Sequence, residues 1–188
     1  MTTDLLVPVT AGDHVQGPDT APVTLIEYAD YECPYSRIAY SVIKGVQQEL
    51  GDQLRFVYRN FPLREIHPHA QHAAEAAEAA ASQGRFWEMH DHLFEHQRAL
   101  DDEHLHQHAA TLGLEIETFS RDMAQHRHAR KIDRDLRDGV RSGVRATPTF
   151  FINAVRHEGS LDRNSLLSMI GEAHALRGLT DPQDKDND

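Results

Sequence analysis

The feature that most constrains the fold is a short apolar run, followed by a helix that a proline opens and then by a second apolar run. Residues 23–28 are β-branched and apolar and are bounded by turn residues, which predicts a buried strand. Residues 34–50 carry apolar side chains at helical spacing, and Gly51 stands where helices often end on glycine. Residues 54–59 resemble a second strand. The order predicts a βαβ unit with parallel strands and a right-handed crossover.

The rest of the chain predicts a helical block, then two strands and a final helix. Residues 60–148 contain no convincing strand. Asn153 and Ala154 form a tight turn between the last two strands, and Asp162 is the expected N-cap of the final helix. The predicted helices lie at 70–81, 85–97, within 101–141 (two or three helices) and at 161–176, and the predicted strands at 149–152 and 155–157.

The two ends of the chain differ from its middle in composition. Residues 1–22 are rich in proline and glycine and predict an irregular arm, in which residues 5–9 are a candidate edge strand. Residues 178–188 contain four Asp and almost nothing apolar, which predicts a disordered acidic tail.

Cys33 is the only cysteine in the 188 residues, so no disulfide can form within the chain. It stands between the first predicted strand and the helix that Pro34 opens. Unpaired backbone N–H groups and the macrodipole at a helix N-terminus favour a thiolate. The sequence therefore predicts a reactive sulfur at this position.

The charge and hydropathy of the chain limit which classes of partner and which cellular compartment we expect. The formal charge of −11 argues against partnership with nucleic acid or with a membrane surface. Basic residues do cluster at 127–141, but Asp133, Asp135 and Asp138 interleave with them, which predicts a solvated helix of alternating charge. The chain starts without a signal peptide and has no stretch of transmembrane length, so we expect a cytoplasmic protein unless a leader has been trimmed.

Five blocks of residues, in order, resemble the DsbA-like family of thiol-disulfide oxidoreductases. These blocks are 30–35, the helix after it, 58–63, Phe86-Trp87 and 143–153. The resemblance implies an α/β thioredoxin-like fold, βαβ–helical insertion–ββα, and protein or peptide thiols and disulfides as partners. The implied division is an arm (1–22), a thioredoxin-like domain (23–62 and 142–177), an inserted helical domain (63–141) and the tail (178–188). The oligomeric state stays open.

The resemblance also implies roles for three residues besides the cysteine. Thr147–Pro148 is implied to be a cis peptide facing Cys33, in a loop where a substrate peptide can pair as an added strand; the alternative is that Pro148 merely begins an edge strand. Glu27, six residues before the cysteine, is implied to be a buried acid that relays protons to the departing sulfur. A strand's two-residue period could instead turn it toward solvent.

Ser36 departs from the family, whose dithiol members have a second cysteine at this position that resolves the mixed disulfide. Its hydroxyl can donate a hydrogen bond to the Cys33 thiolate, but turnover then needs an external thiol such as glutathione. Three explanations remain: a natural monothiol enzyme, an engineered Cys-to-Ser change in a dithiol enzyme, and a non-catalytic binding or redox-sensing module. In all three, Pro34 and Tyr35 shape the helix start and tune the thiolate.

The fourteen histidines raise the question of a metal. His92/His96 and His104/His108 stand four residues apart on predicted helices, so each pair can face one ion. Two ligands do not make a structural site, and no His-Glu-x-x-His pattern occurs. We therefore expect no metal and no bound cofactor, with most of these histidines lying on the helical surface.

Overall fold

Five strands form one mixed sheet in a computed structural model that describes residues 4–160 and 162–180. The strands are β1 (His14–Gln16), β2 (Val23–Ala29), β3 (Leu54–Asn60), β4 (Thr149–Ile152) and β5 (Val155–Arg156), in the spatial order β1-β3-β2-β4-β5. β2 and β3 are parallel, and the other neighbouring pairs are antiparallel. The parallel pair joined by a helix confirms the predicted βαβ unit and the thioredoxin-like α/β class.

Seven helices surround this sheet within the described residues. They are α1 (Pro34–Leu50), α2 (Ala70–Ala81), α3 (Phe86–Glu95), α4 (Asp102–Thr111), α5 (Ile116–Ala124), α6 (Ala129–Arg141) and α7 (Arg163–Thr180). Helices α2–α6 all lie between β3 and β4, where the sequence predicted helices only. The exact boundaries of the arm and of the inserted domain stay a prediction.

The sheet buries a different core on each face. One face packs against α1, α7 and the inserted helices, with Leu25, Ile43 and Phe150 among the buried residues. The other face carries Tyr28 and Phe151 and packs against α6. The side chains of β2 alternate between the two cores, as the two-residue period of a strand requires.

The predicted edge strand at residues 5–9 is wrong, because the strand that pairs with β3 is His14–Gln16. Arg59 explains the difference. Its guanidinium donates to the carbonyl oxygens of Val7 and Pro8, so this segment is bound by a side chain instead of a sheet ladder. Arg59 also forms a buried ion pair with Asp13. Burial alone raises the pKa of Asp13, but the hydrogen bond and charge of Arg59 outweigh it and lower that pKa.

The C-terminal helix runs longer than predicted. α7 continues to Thr180, so the prediction of disorder is wrong for residues 178–180, and residues 181–188 lie outside the described residues. Residue 161, where this helix was predicted to begin, also lies outside them. The carboxylate of Asp162 accepts a hydrogen bond from the backbone N–H of Ser165 at 3.0 Å, as an N-cap does.

Candidate active site

Cys33 lies at the N-cap of α1, with Pro34 in the first turn of the helix. Its backbone is extended, and a proline at this point costs no hydrogen bond, because the first N–H groups of a helix have no partner within it. The side chain is buried, and its Sγ donates to the carbonyl oxygen of Thr147 at 3.3 Å. The cysteine therefore sits at the helix start, where the sequence placed it.

Strand pairing explains why Thr147 reaches the cysteine. β4 runs antiparallel to β2, with Thr149 opposite Tyr28, so the loop before β4 meets the turn after β2. The Thr147–Pro148 peptide bond is cis. The hydroxyl of Thr149 donates to the carbonyl oxygen of Ala146 at 2.7 Å and closes the loop on itself. The arrangement presents backbone polar groups beside the sulfur.

Glu27 points into the core beneath α1. In the parallel register it stands beside Tyr58, on the same sheet face as Leu25, and only 2% of its surface is exposed. Among the described residues its Oε1 has no hydrogen-bond partner. Burial raises the pKa of Glu27 to about 8, because the ionised carboxylate has lost its water. Of the two orientations left open by the sequence, the structure has the buried one.

Ser36 is fully buried in the first turn of α1. Its Oγ accepts a hydrogen bond from the backbone N–H of Asp30 at 3.4 Å. Over residues 4–160 and 162–180, no hydrogen bond joins this hydroxyl to the sulfur of Cys33, which instead donates to the carbonyl oxygen of Thr147. A bond from Ser36 to the Cys33 thiolate stays a prediction.

Exposed apolar side chains occur on α1 and on the loop after β3, which Asp30 ties to the turn before Cys33. Tyr35 is 67% exposed, and Ile38 and Ile66 are exposed to a similar extent. A groove on one side is lined by Pro34, Arg37, Ile38, Ser41 and Gln97. A cavity of about 450 Å³ on the other side is lined by Pro62, Leu63, Arg64, Glu65, Ile66, Leu136, Arg145 and Ala146. An extended apolar segment therefore has surfaces to contact on both sides of the cysteine.

Sequence reasoning missed Asp30 as an organiser of this site. One carboxylate oxygen accepts from the backbone N–H of Glu32 at 2.8 Å. The other accepts from the N–H of Leu63 and forms a 2.8 Å contact with Nδ1 of His67. This buried carboxylate thus ties the turn before Cys33 to the loop after β3. Its place at the end of a buried strand was the available signal, since a buried carboxylate needs partners.

Gln97 was also missed. Its side-chain amide donates to the carbonyl oxygens of Tyr31 at 2.7 Å and Cys33 at 2.9 Å. The residue belongs to the loop between α3 and α4, far from the cysteine in sequence. No local sequence pattern predicts such a contact, because the contact depends on how the inserted helices pack.

The histidine pairs do lie close together. The ring centroids of His92 and His96 are 4.1 Å apart, and His108 lies 4.6 Å from His92. Burial lowers the pKa of His92, and its two neighbours lower it further. His104 is more distant, at 6.5 Å from His108. Within the part of the chain that the structure describes, no group of three or more His, Cys, Asp or Glu is arranged to hold a metal ion.

Two curated relatives match nearly the whole chain. It is 42% identical over 186 residues to the Na(+)/H(+) antiporter NhaA 1 of Salinispora arenicola, covering 98% of this chain and 28% of that protein. It is 44% identical over 177 residues to the Na(+)/H(+) antiporter NhaA 3 of Salinispora tropica, covering 94% and 27%. The chain thus spans about a quarter of the length of the curated relatives it matches.

These relatives overturn the expectation of a cytoplasmic protein. That prediction is wrong because it rested on how this chain begins, whereas the matching proteins carry the name of an ion antiporter and extend far beyond the matched region. In residues 4–160 and 162–180, no helix has both the length and the apolar character needed to cross a membrane.

Solved structures share the fold over almost the full chain. BdbD from Bacillus subtilis (oxidised) matches with a TM-score of 0.79 at 24% identity, covering 93% of this chain and 97% of that one. Wolbachia pipientis alpha-DsbA1 also gives 0.79, at 20% identity, with coverage of 95% and 98%. A thioredoxin-like oxidoreductase from Silicibacter pomeroyi gives 0.79 at 26% identity, with coverage of 88% and 94%.

The family comparison agrees with the site. A family described as Thioredoxin matches residues 9–172, which include Cys33, Glu27 and the Thr147–Pro148 loop. The sheet order, the inserted helices and the cysteine at the start of α1 fit the same assignment. The chain therefore belongs to the thioredoxin family, and its fold is that of the DsbA-like disulfide oxidoreductases.

Proposed function

We propose that this chain is a thiol-disulfide oxidoreductase that works through the single sulfur of Cys33. The Cys33 thiolate attacks one sulfur of a substrate disulfide, forming a mixed disulfide and releasing the other substrate sulfur as a thiolate. An external thiol such as glutathione then attacks the mixed disulfide, and Cys33 leaves as a thiolate. With a glutathionylated protein as substrate, the products are the protein thiol and oxidised glutathione. The same chemistry can reduce or isomerise protein disulfides.

The contact of the Cys33 sulfur with the Thr147 carbonyl oxygen carries this proposal. It places the only cysteine sulfur of the chain beside a loop whose backbone is available to a peptide. A substrate segment that pairs with this loop would bring its disulfide to the sulfur as an added strand. The exposed apolar surfaces on either side favour an extended peptide as the substrate.

Glu27 is proposed to give a proton to the departing sulfur and to take one back afterwards. Its raised pKa of about 8 means that the carboxyl group holds a proton at neutral pH and can lose it to a modestly stronger base. The acid lies beneath the helix that carries the cysteine, on the same sheet face. A water molecule would have to complete the path between the carboxyl group and the sulfur.

Two alternatives give the same fold a different chemistry. If Ser36 replaces a natural cysteine through engineering, the unmodified protein is a dithiol oxidoreductase. If Cys33 never turns over, the chain is a module that binds peptides or senses redox state. The natural codon at position 36 decides the first alternative, and catalytic turnover decides the second.

A glutathionylated peptide tests the monothiol route. Incubation with the chain should add one glutathione to Cys33 by mass spectrometry, and reduced glutathione should remove it. Continuous turnover is then followed as oxidised glutathione, with glutathione reductase and NADPH as the coupled assay. Cys33→Ser should abolish both signals. An adduct that forms without turnover would leave the binding module as the better description.

The antiporter relatives bear on where in the cell this chemistry takes place. We propose that the chain works beside a membrane ion transporter, because proteins named as Na(+)/H(+) antiporters contain a region more than 40% identical to it. The test is an association measurement between this chain and the remaining part of the Salinispora arenicola relative, purified in detergent. Absence of binding at about 100 µM would remove the support for that setting.

A further inference from the structure

Four arginines form a single stripe along the outer side of α6. Arg130, Arg134, Arg137 and Arg141 are all exposed. At about 100° per residue they fall within roughly 60° of arc, and at 1.5 Å per residue they span about 16 Å. We call these four residues the arginine stripe. Arg145, also exposed, follows in the loop that leads to Thr147.

The acidic residues that interleave with the stripe in the sequence do not neutralise it in the fold. Asp133 bonds to Arg64 at 2.5 Å, and Asp135 is buried against Lys131 at 2.5 Å. Only Asp138 approaches the stripe, at 3.8 Å from Arg141. The solvated helix of mixed charge is therefore present, but its three acids pair with Arg64, Lys131 and Arg141 and leave the other arginines of the stripe without an ion pair among the described residues.

The opposite side of α6 packs against the sheet. Ile132 is buried, and Leu136 packs against the core of the second sheet face. Gly139 lies so close to the sheet that a Cβ there would come within 2.8 Å of the Phe61 ring. Packing on the sheet thus fixes which side of the helix faces outward. It does not require arginines there.

The stripe has almost no partners among the residues that the structure describes. Among residues 4–160 and 162–180, no hydrogen bond or ion pair involves the side chains of Arg130, Arg134 or Arg137. Three neighbouring arginines without an internal partner repel one another. They are therefore available to bind something anionic.

We propose that the arginine stripe docks this chain on an anionic phospholipid membrane. Basic residues clustered on one helix face attract acidic lipid headgroups. Val140, 59% exposed beside the stripe, adds an apolar side chain that can enter the headgroup region. The stripe lies on the side of α6 that faces away from the sheet, and at Arg134 it borders the N-terminal arm, where a Cβ on Gly12 would come within 3.3 Å of the guanidinium.

The net charge of −11 does not exclude this docking. It is a sum over the whole chain, whereas exposed charges are screened beyond about 8 Å at physiological ionic strength. Only the charge of the facing surface acts on the lipid at that range. The choice of a membrane over an acidic protein rests on the proposed setting beside a membrane transporter, and binding to the lipid requires no thiol chemistry.

Vesicle sedimentation tests the proposal at pH 8, where histidines contribute little positive charge. The chain should bind vesicles of equal parts phosphatidylcholine and phosphatidylglycerol, but not pure phosphatidylcholine, and added salt should weaken the binding. Each basic residue near an anionic membrane contributes roughly a fivefold gain in affinity. The triple variant Arg130→Gln/Arg134→Gln/Arg137→Gln should therefore bind about 100-fold more weakly.

A matched variant separates the stripe from net charge. Arg85→Gln/Arg98→Gln/Arg121→Gln removes three exposed arginines elsewhere and should bind within about threefold of the wild type. Circular dichroism checks that both triple variants are folded. Cys33→Ser should bind vesicles normally, so failed docking is distinguishable from failed thiol exchange. The proposal would be overturned if both triple variants lost the same amount of vesicle binding or if the chain showed no preference for anionic vesicles. Binding to polyglutamate without binding to vesicles would also overturn it.

Discussion

Sγ of Cys33 donates a hydrogen bond to the carbonyl oxygen of Thr147, a residue 114 positions later in the chain, at 3.3 Å. The contact has a cost for catalysis, because an ionised sulfur would face the negative end of that carbonyl. A bound peptide can relieve this cost if its N–H takes the carbonyl oxygen as acceptor. We therefore expect substrate binding and thiolate formation to favour each other at this site.

Ser36→Cys should convert the site into a dithiol. The side chain is fully buried one turn into α1, and Cα atoms three residues apart on a helix are close enough for a disulfide. Oxidation should remove both free thiols in a thiol count, and the variant should reduce insulin with dithiothreitol as the electron donor. Ser41→Cys, farther along the same helix, is the matched control and should keep two free thiols in the monomer.

Glu27→Gln should change how stability depends on pH. Burial raises the pKa of Glu27 from 4.5 to about 8, so between these values the folded chain holds a proton that the unfolded chain has released. The free energy of unfolding therefore carries this contribution in full below pH 4.5 and loses it as the pH rises to about 8. The loss is on the order of 4 kcal/mol.

Urea unfolding of both proteins at pH 5 and pH 9 measures that difference. From the lower to the higher pH, the stability of Glu27→Gln relative to the wild type should rise by about that amount, since glutamine does not ionise. The other titrating groups cancel in the comparison. A difference between the two proteins that stays constant with pH would mean that Glu27 is ionised in the folded state.

Ala154→Gly should stabilise the protein. Ala154 is exposed in the turn between β4 and β5 and has a φ of 71°, in the left-handed region that disfavours a Cβ. Glycine removes a strain of about 1 kcal/mol. Ala110→Gly, the same change on the exposed side of α4, should instead destabilise by about 0.5–1 kcal/mol. Urea midpoints that move in the same direction for both variants would contradict the expected strain.

Local patterns predicted most of the fold because they depend on neighbouring residues only. α2 begins and ends where the alanine-rich segment indicated, and α1 ends before Gly51. The edge strand was misplaced because Arg59, from β3, binds the carbonyl groups of residues 7 and 8. Sequence alone could not show that Asp133 of α6 pairs with Arg64, because that arginine comes from a different segment of the chain.

The candidate site was predictable in part. Periodicity and Pro34 placed Cys33 at a helix start, while its proximity to Pro148 came from the family resemblance. The direction of the Ser36 hydroxyl could not be read from sequence, because the backbone N–H of Asp30 competes for it. Gln97 and His67 reach the site from loops whose positions depend on the packing of the inserted helices.

Asp30→Asn should weaken the turn that presents Cys33. The carboxylate accepts from three donors, at the backbone of Glu32 and Leu63 and at Nδ1 of His67. The amide of asparagine offers only one oxygen, so at least one buried donor loses its acceptor, at a cost of about 1–3 kcal/mol in urea unfolding. Asp52→Asn, an exposed acid just beyond α1, should change stability by less than about 0.5 kcal/mol. In buffer without urea, where Asp30→Asn is still folded, the rate at which Cys33 forms a mixed disulfide should also fall. The reason is that this carboxylate holds both the turn before Cys33 and the loop after β3. An unchanged rate together with lost stability would limit Asp30 to a structural role.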